Sequence, residues 1–186
     1  MKTITAVLAA AALASTAMAG YAPDKVSSLP GWSGDLPSDM YAGYLDIAGG
    51  KHLSYVVAES ESDPANDPVV FWFNGGPGCS SLGGFATENG PFFITKDSSG
   101  GFSLRQRPER WNKEATTVYM ENPAGVGFSY ADSSSGYVHN DTSTAVDNFN
   151  ALQEFFNKFP EWKSNDLYFT GESYAGIYIP TLAAQV

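Results

Sequence analysis

The sequence predicts an α/β fold built on a largely parallel sheet, and three observations carry that prediction. First, Val69-Val70-Phe71-Trp72-Phe73 and Thr116-Thr117-Val118-Tyr119-Met120 are short unbroken apolar runs, the pattern of strands covered on both faces. Second, Val146, Phe149, Leu152, Phe156 and Phe159 recur at spacings of three and four, one face of a helix. Third, Leu167 to Thr170 is another buried-strand run that turns at once into a helix from Tyr174 onward. Strands that alternate with helices build parallel sheets.

The elements follow in order. Lys2, the apolar run Ile4 to Leu13 and Ala17-Met18-Ala19 read as a secretory signal peptide over residues 1–19. That run is shorter than the ~20 residues needed to cross a bilayer, and no later segment is apolar enough to span. Residues 20–186 then form one domain's worth of chain. Tyr21 to Asp39, rich in Pro, Ser and Gly, is an extended lead-in. Tyr41–Ile47 and His52–Ala58 flank Gly49-Gly50 and read as a β-hairpin. A polar loop leads to the Val69–Phe73 strand, and a second loop to Thr116–Met120. Thr144 and Asp147 read as a capping box for the helix that Pro160 stops.

Composition narrows the function. The chain is 43% hydrophobic and 14% aromatic, as in a packed globular protein. A formal net charge of −10 leaves no basic patch to neutralise phosphates, so nucleic acid is excluded as a partner. No metal-ligand cluster and no cofactor motif is present. The single cysteine, Cys79, reads either as a buried thiol or as half of a disulfide whose partner lies elsewhere.

Two segments carry chemistry. Gly171-Glu172-Ser173-Tyr174-Ala175 sits between a buried strand and a helix, the layout of a nucleophile elbow. Such a turn is cramped, so the residues two before and two after the serine must be small. Serine is a weak nucleophile that needs a base and donors for the developing oxyanion. Asn74-Gly75-Gly76-Pro77-Gly78-Cys79-Ser80-Ser81 follows the Val69–Phe73 strand, where an α/β-hydrolase places one of those donors. A phosphate-loop reading fails, because no Gly-Lys-Ser/Thr follows. Glu172 adjoins the nucleophile, and its carboxyl is expected to share a proton or a hydrogen bond with a neighbour. Glu88, read from the residues alone, is a solvated loop residue. His52 and His139 precede the serine, which is not where this fold draws its base, so both read as surface or structural residues. Asn140-Asp141-Thr142 is an N-glycosylation acceptor.

Together these segments and Glu121-Asn122-Pro123-Ala124-Gly125-Val126-Gly127-Phe128-Ser129-Tyr130 resemble the serine carboxypeptidases, the group of carboxypeptidase Y, from about Val26 to Val186. Leu29-Pro30-Gly31 and Asn89-Gly90-Pro91-Phe92 are most similar to the lysosomal members. The resemblance implies an α/β-hydrolase fold, here the N-terminal half of its sheet, acting on peptide and protein C-termini. It implies Ser173 as nucleophile and the Gly76 and Tyr174 amides as oxyanion hole. It implies that Asn74, Gly75, Glu88 and Glu172 bind the substrate's terminal carboxylate, which reassigns Glu88. It implies a disulfide from Cys79 to a later cysteine, a secretory, lysosomal, vacuolar or extracellular location, and a homodimer in the full-length protein. The triad Asp, the triad His and the cysteine partner are expected beyond Val186, so the 186 residues alone are expected to be inactive; the alternative readings are an inert truncated member of the family and a relative turned to acyl transfer or lyase chemistry.

Overall fold

The computed structural model describes residues 20–186, and the signal-peptide segment lies outside them. One sheet forms the centre. Strands β1 (Met40–Ile47), β2 (Lys51–Ala58) and β3 (Val69–Phe73) come first. Strands β4 (Phe92–Lys96), β5 (Phe102–Gln106), β6 (Thr116–Met120) and β7 (Tyr130–Ala131) follow. Helix α1 (Asp141–Lys158), strand β8 (Leu167–Gly171) and helix α2 (Ala175–Ala183) complete the chain. The spatial order is β1-β2-β6-β3-β8, with the short β7 on β2. β1 and β2 are an antiparallel hairpin and β2 runs antiparallel to β6. β3 lies parallel to both β6 and β8, from Val69↔Leu167 to Phe73↔Gly171.

All residues of β3 and β6 are buried, as their unbroken apolar runs predict. β8 departs from the expectation. Tyr168 is exposed and Leu167, Phe169 and Thr170 are half-buried, because among the described residues β8 is the outer strand and pairs only with β3.

Helix α1 covers one face of the sheet. Its Leu152 and Phe155, with Phe159 just past its C-terminus, pack with Tyr41, Tyr55, Phe71 and Trp162 in a largely aromatic block. The buried stripe is rotated from the predicted one: Val146 is exposed and Phe155 is buried. The capping box also differs. Asn140 Oδ1 accepts from the Ser143 N–H, and Ser143 Oγ accepts from the Asn140 N–H. Asp147 lies inside the helix, where its Oδ2 meets Lys51 Nζ of β2 at 2.6 Å. This partly buried ion pair occupies the carboxylate, which among the described residues makes no hydrogen bond to the helix N-terminus.

The opposite face is covered by segments that show no strong periodicity. Val26, Leu29, Trp32 and Leu36 of the lead-in pack with Met40, Phe92 and Leu104. The β4–β5 hairpin was not expected from sequence. Its turn is closed by Asp97 Oδ1, which accepts from the Ser99 and Gly101 N–H groups. Only Phe92 of this hairpin is fully buried, so its strands lack the alternation that would mark them.

Candidate active site

The parallel strands β3, β6 and β8 end on the same side of the sheet, the side where open α/β sheets bind ligands. The loop after each contributes to one site. The β3–β8 register sets Phe73 beside Gly171, so the glycine loop and the serine turn leave the sheet as neighbours. The Glu172 N–H donates to Phe73 O at 3.1 Å, which fastens one to the other.

Ser173 is exposed at the tip of its turn with φ 55°, a left-handed conformation that strains a residue with a side chain. A Cβ at Gly171 would strike Phe73 O and lie 2.7 Å from Ala175 Cβ, so the turn requires its small flanks. Gly75 is a matching requirement across the gap. A Cβ there would collide with the Tyr174 N and lie 2.8 Å from Glu172 O. The glycine loop thus lies directly against the backbone that follows the serine. The Gly76 and Tyr174 N–H groups donate to no backbone acceptor among the described residues, while Cys79 N–H closes the loop on Gly75 O at 3.0 Å.

Asn74 organises the acidic side of the site. Its Oδ1 accepts from Trp72 Nε1 at 2.9 Å and from the Gly84 N–H at 3.0 Å. Two fixed donors set the amide's orientation, so Nδ2 faces the carboxylates. It donates to Glu88 Oε1 at 3.0 Å and to Glu172 Oε1 at 2.9 Å. Residues 98 positions apart are thereby joined on one buried amide, and both glutamates remain exposed. Glu88 ends a π-helical turn, Gly84–Glu88, and is not an isolated loop residue.

Trp72, Tyr178, Ser80 and Glu121 were not singled out from sequence. Trp72 lies two residues before Asn74 on the same strand face, and that period-two spacing is the signal that could have found it. Tyr178 Oη accepts from the Gly78 N–H at 3.1 Å, tying the glycine loop to α2, and burial raises its phenol pKa. Tyr174 Oη donates to Asp141 Oδ1 at 2.8 Å, and that bond raises the Tyr174 pKa. A cleft of about 420 Å³ between Pro77, Gly78, Asp141, Tyr174 and Tyr178 adjoins the serine turn.

Neither histidine is hydrogen-bonded to Ser173, although His139 lines the cleft beside the serine turn. His52 lies between Asp46 Oδ1 (2.6 Å) and Asp132 Oδ1 (3.3 Å) and stacks on Tyr130. His139 Nε2 lies 2.9 Å from Ala124 O. Cys79 is a free, exposed thiol, which removes the buried-thiol reading. Asn140 is exposed at the N-terminus of α1. Among the described residues no cluster of His, Cys, Asp or Glu could hold a metal ion, and no helix is long and apolar enough to cross a membrane.

Comparison with known proteins gives a consistent result. The family model described as serine carboxypeptidase matches residues 30–186. The lysosomal protective protein of Mus musculus is 53% identical over 163 residues, covering 88% of this chain and 34% of that protein. Serine carboxypeptidase 1 of Hordeum vulgare is 48% identical over 169 residues, covering 87% of this chain and 33% of that protein. A crystal structure of a prohormone-processing carboxypeptidase from Saccharomyces cerevisiae superposes with a TM-score of 0.74 at 25% identity, over 90% of this chain and 39% of that one. The chain spans about a third of the length of the curated relatives it matches.

Proposed function

Because the chain belongs to the serine carboxypeptidase family, we propose that the full-length protein releases single residues from peptide C-termini through an acyl-enzyme on Ser173. The observation that carries this reading is the junction of two remote segments. Gly75 abuts the backbone of Tyr174, while Asn74 joins Glu88 to Glu172. Ser173 Oγ attacks the carbonyl of the penultimate residue, and the Gly76 and Tyr174 N–H groups receive the oxyanion. The C–N bond breaks, the terminal amino acid leaves, and water releases the acyl group.

Asn74, Gly75, Glu88 and Glu172 hold the peptide's terminal carboxylate. Glu88 and Glu172 already accept from the Asn74 amide, so the peptide's carboxylate meets a site organised around a directed donor. The location in this reading is lysosomal, vacuolar or elsewhere in the secretory pathway. Asn140 is the glycosylation site in this reading, and Cys79 pairs with a cysteine outside the described residues. In this reading the full-length protein is a homodimer.

The general base is the part these residues do not supply. His52 is committed to Asp46 and Asp132 and His139 to Ala124 O, and neither is bonded to Ser173. The base and its orienting carboxylate therefore come from the remainder of the full-length protein, and residues 1–186 alone are inert. The test is turnover of a blocked dipeptide with a free C-terminus by full-length enzyme, Ser173→Ala and the 186-residue chain. Full-length enzyme turns over, whereas both others fall by about 10⁴-fold or more. Wild-type-like turnover by either would overturn the assignment.

A further inference from the structure

Glu121 is an ionisable group that the reaction as described leaves unused. It follows β6 directly, is 0% exposed, and forms no salt bridge among the described residues. A carboxylate in such a place persists only if its oxygens are filled by donors. Oε1 accepts from the Ser80 hydroxyl and Oε2 accepts from the Phe128 N–H at 2.6 Å. The surrounding loop is shaped to that carboxylate. A Cβ at Gly127, where φ is 54°, would overlap both carboxylate oxygens. The backbone is fixed as well: Glu121 N–H donates to Ser54 O at 2.9 Å, and Ser129 Oγ donates to Glu121 O at 2.6 Å. Glu121 is therefore a rigid post, and the group it holds outside its own loop is Ser80 of the glycine loop.

The glycine loop needs such a post. Gly76 has φ 107° and lies on the exposed stretch Gly76–Cys79. One tie holds that stretch from a neighbouring element, Gly78 N–H on Tyr178 Oη of α2, and a second holds the residue that ends it, Ser80 Oγ on Glu121. Ser80 Oγ also accepts from the Leu82 N–H at 3.2 Å, which passes the constraint into the turn that leads to Glu88. A donor that stabilises an oxyanion acts only if it is already aimed when charge develops.

Resting on the serine carboxypeptidase reading, we infer that Glu121 is a positioning residue that acts through Ser80 to aim the Gly76 N–H at the oxyanion. It touches no substrate. Its effect falls on the transition state and not on the bound peptide.

The experiment uses full-length enzyme with Ser80→Ala, Ser80→Thr and Glu121→Gln, with active sites counted by a fluorophosphonate. It reads kcat and KM on a blocked dipeptide, and inhibition by a peptide boronate, a tetrahedral serine adduct, beside inhibition by the peptide product. Ser80→Ala should lower kcat about ten- to hundredfold with KM within about threefold of wild type. Boronate affinity should weaken by the factor lost in kcat/KM, product affinity should hold, and Ser80→Thr should restore both readouts by returning the hydroxyl. If Glu121→Gln fails to fold, Ser80→Ala carries the test alone. Unchanged kcat and boronate affinity in Ser80→Ala would overturn the inference. So would equal losses of boronate and product affinity, which mark a general distortion. Activity that survives Ser173→Ala is a separate result that removes the underlying reading and this inference with it.

Discussion

Two groups of carboxyls lie beyond opposite ends of the sheet. Beyond the C-terminal ends of the parallel strands, Glu88 and Glu172 share the Asn74 amide, which is buried and oriented by two further donors. At the other end, Asp39 and Glu59 extend past the Met40↔Ala58 pair, with Glu161 nearby. Among the described residues no donor bonds two of these carboxyls together. Lys25 Nζ holds Asp39 at 2.6 Å, and Glu161 has a buried oxygen without a partner. Burial first, and then the neighbouring charges of Asp39 and Glu161 against that of Lys25, push Glu59 up to about 7. Carboxyl clustering alone therefore does not make a binding site. A donor shared by both carboxyls distinguishes the first group, whereas the second, in which Lys25 bonds Asp39, is a pH-dependent load on stability.

Asn74→Asp in the full-length protein should break the comparison most sharply. It keeps an acceptor for Trp72 and Gly84 but replaces the shared donor with a third carboxylate. Two hydrogen bonds to charged groups at ~1.5 kcal/mol each correspond to about a hundredfold loss of kcat/KM for free-acid peptides. Amidated peptides, which carry no terminal charge, should lose much less. Equal losses on both substrates would show that this group does not read the terminal carboxylate.

The opposite cluster should answer in stability and not in turnover. The folded-state pKa of Glu59 lies above its unfolded value, so the folded chain binds more protons from about pH 4.5 to 7 and stability falls as pH rises through that window. Glu59→Gln should raise Tm at pH 7.5 by about 2–4 °C, leave it unchanged at pH 4, and leave kcat/KM alone. A Tm gain of the same size at both pH values would rule out this titration.

His52 gives the smallest effect, in the same direction. Its hydrogen bond to Asp46 raises its pKa against the opposing effect of burial, with further help from Asp132. Its contribution is present below the ordinary histidine value and disappears as pH rises through the raised one. Thermal melts of His52→Gln should therefore differ from wild type at pH 5 and converge with it at pH 8. A difference that persists at pH 8 would assign the effect to stacking on Tyr130 instead.

Sequence by itself determined what periodicity and steric need can specify. The unbroken runs Val69–Phe73 and Thr116–Met120 could only be interior strands, and Gly171 and Ala175 marked a cramped turn around Ser173. The tertiary structure decided what depends on who meets whom. Asp147 looked like a cap and became the partner of Lys51 because β2 passes beneath α1. The β4–β5 hairpin buries too little to pattern its own residues, so its place was set by the lead-in segment packed beside it. Trp72, Asn74, Glu88 and Glu172 are scattered over a hundred positions, and only the parallel pairing of β3 with β8 brings them to one amide. Local sequence encodes burial and backbone strain. The partner of a polar atom is chosen by the register of strands far apart in the chain.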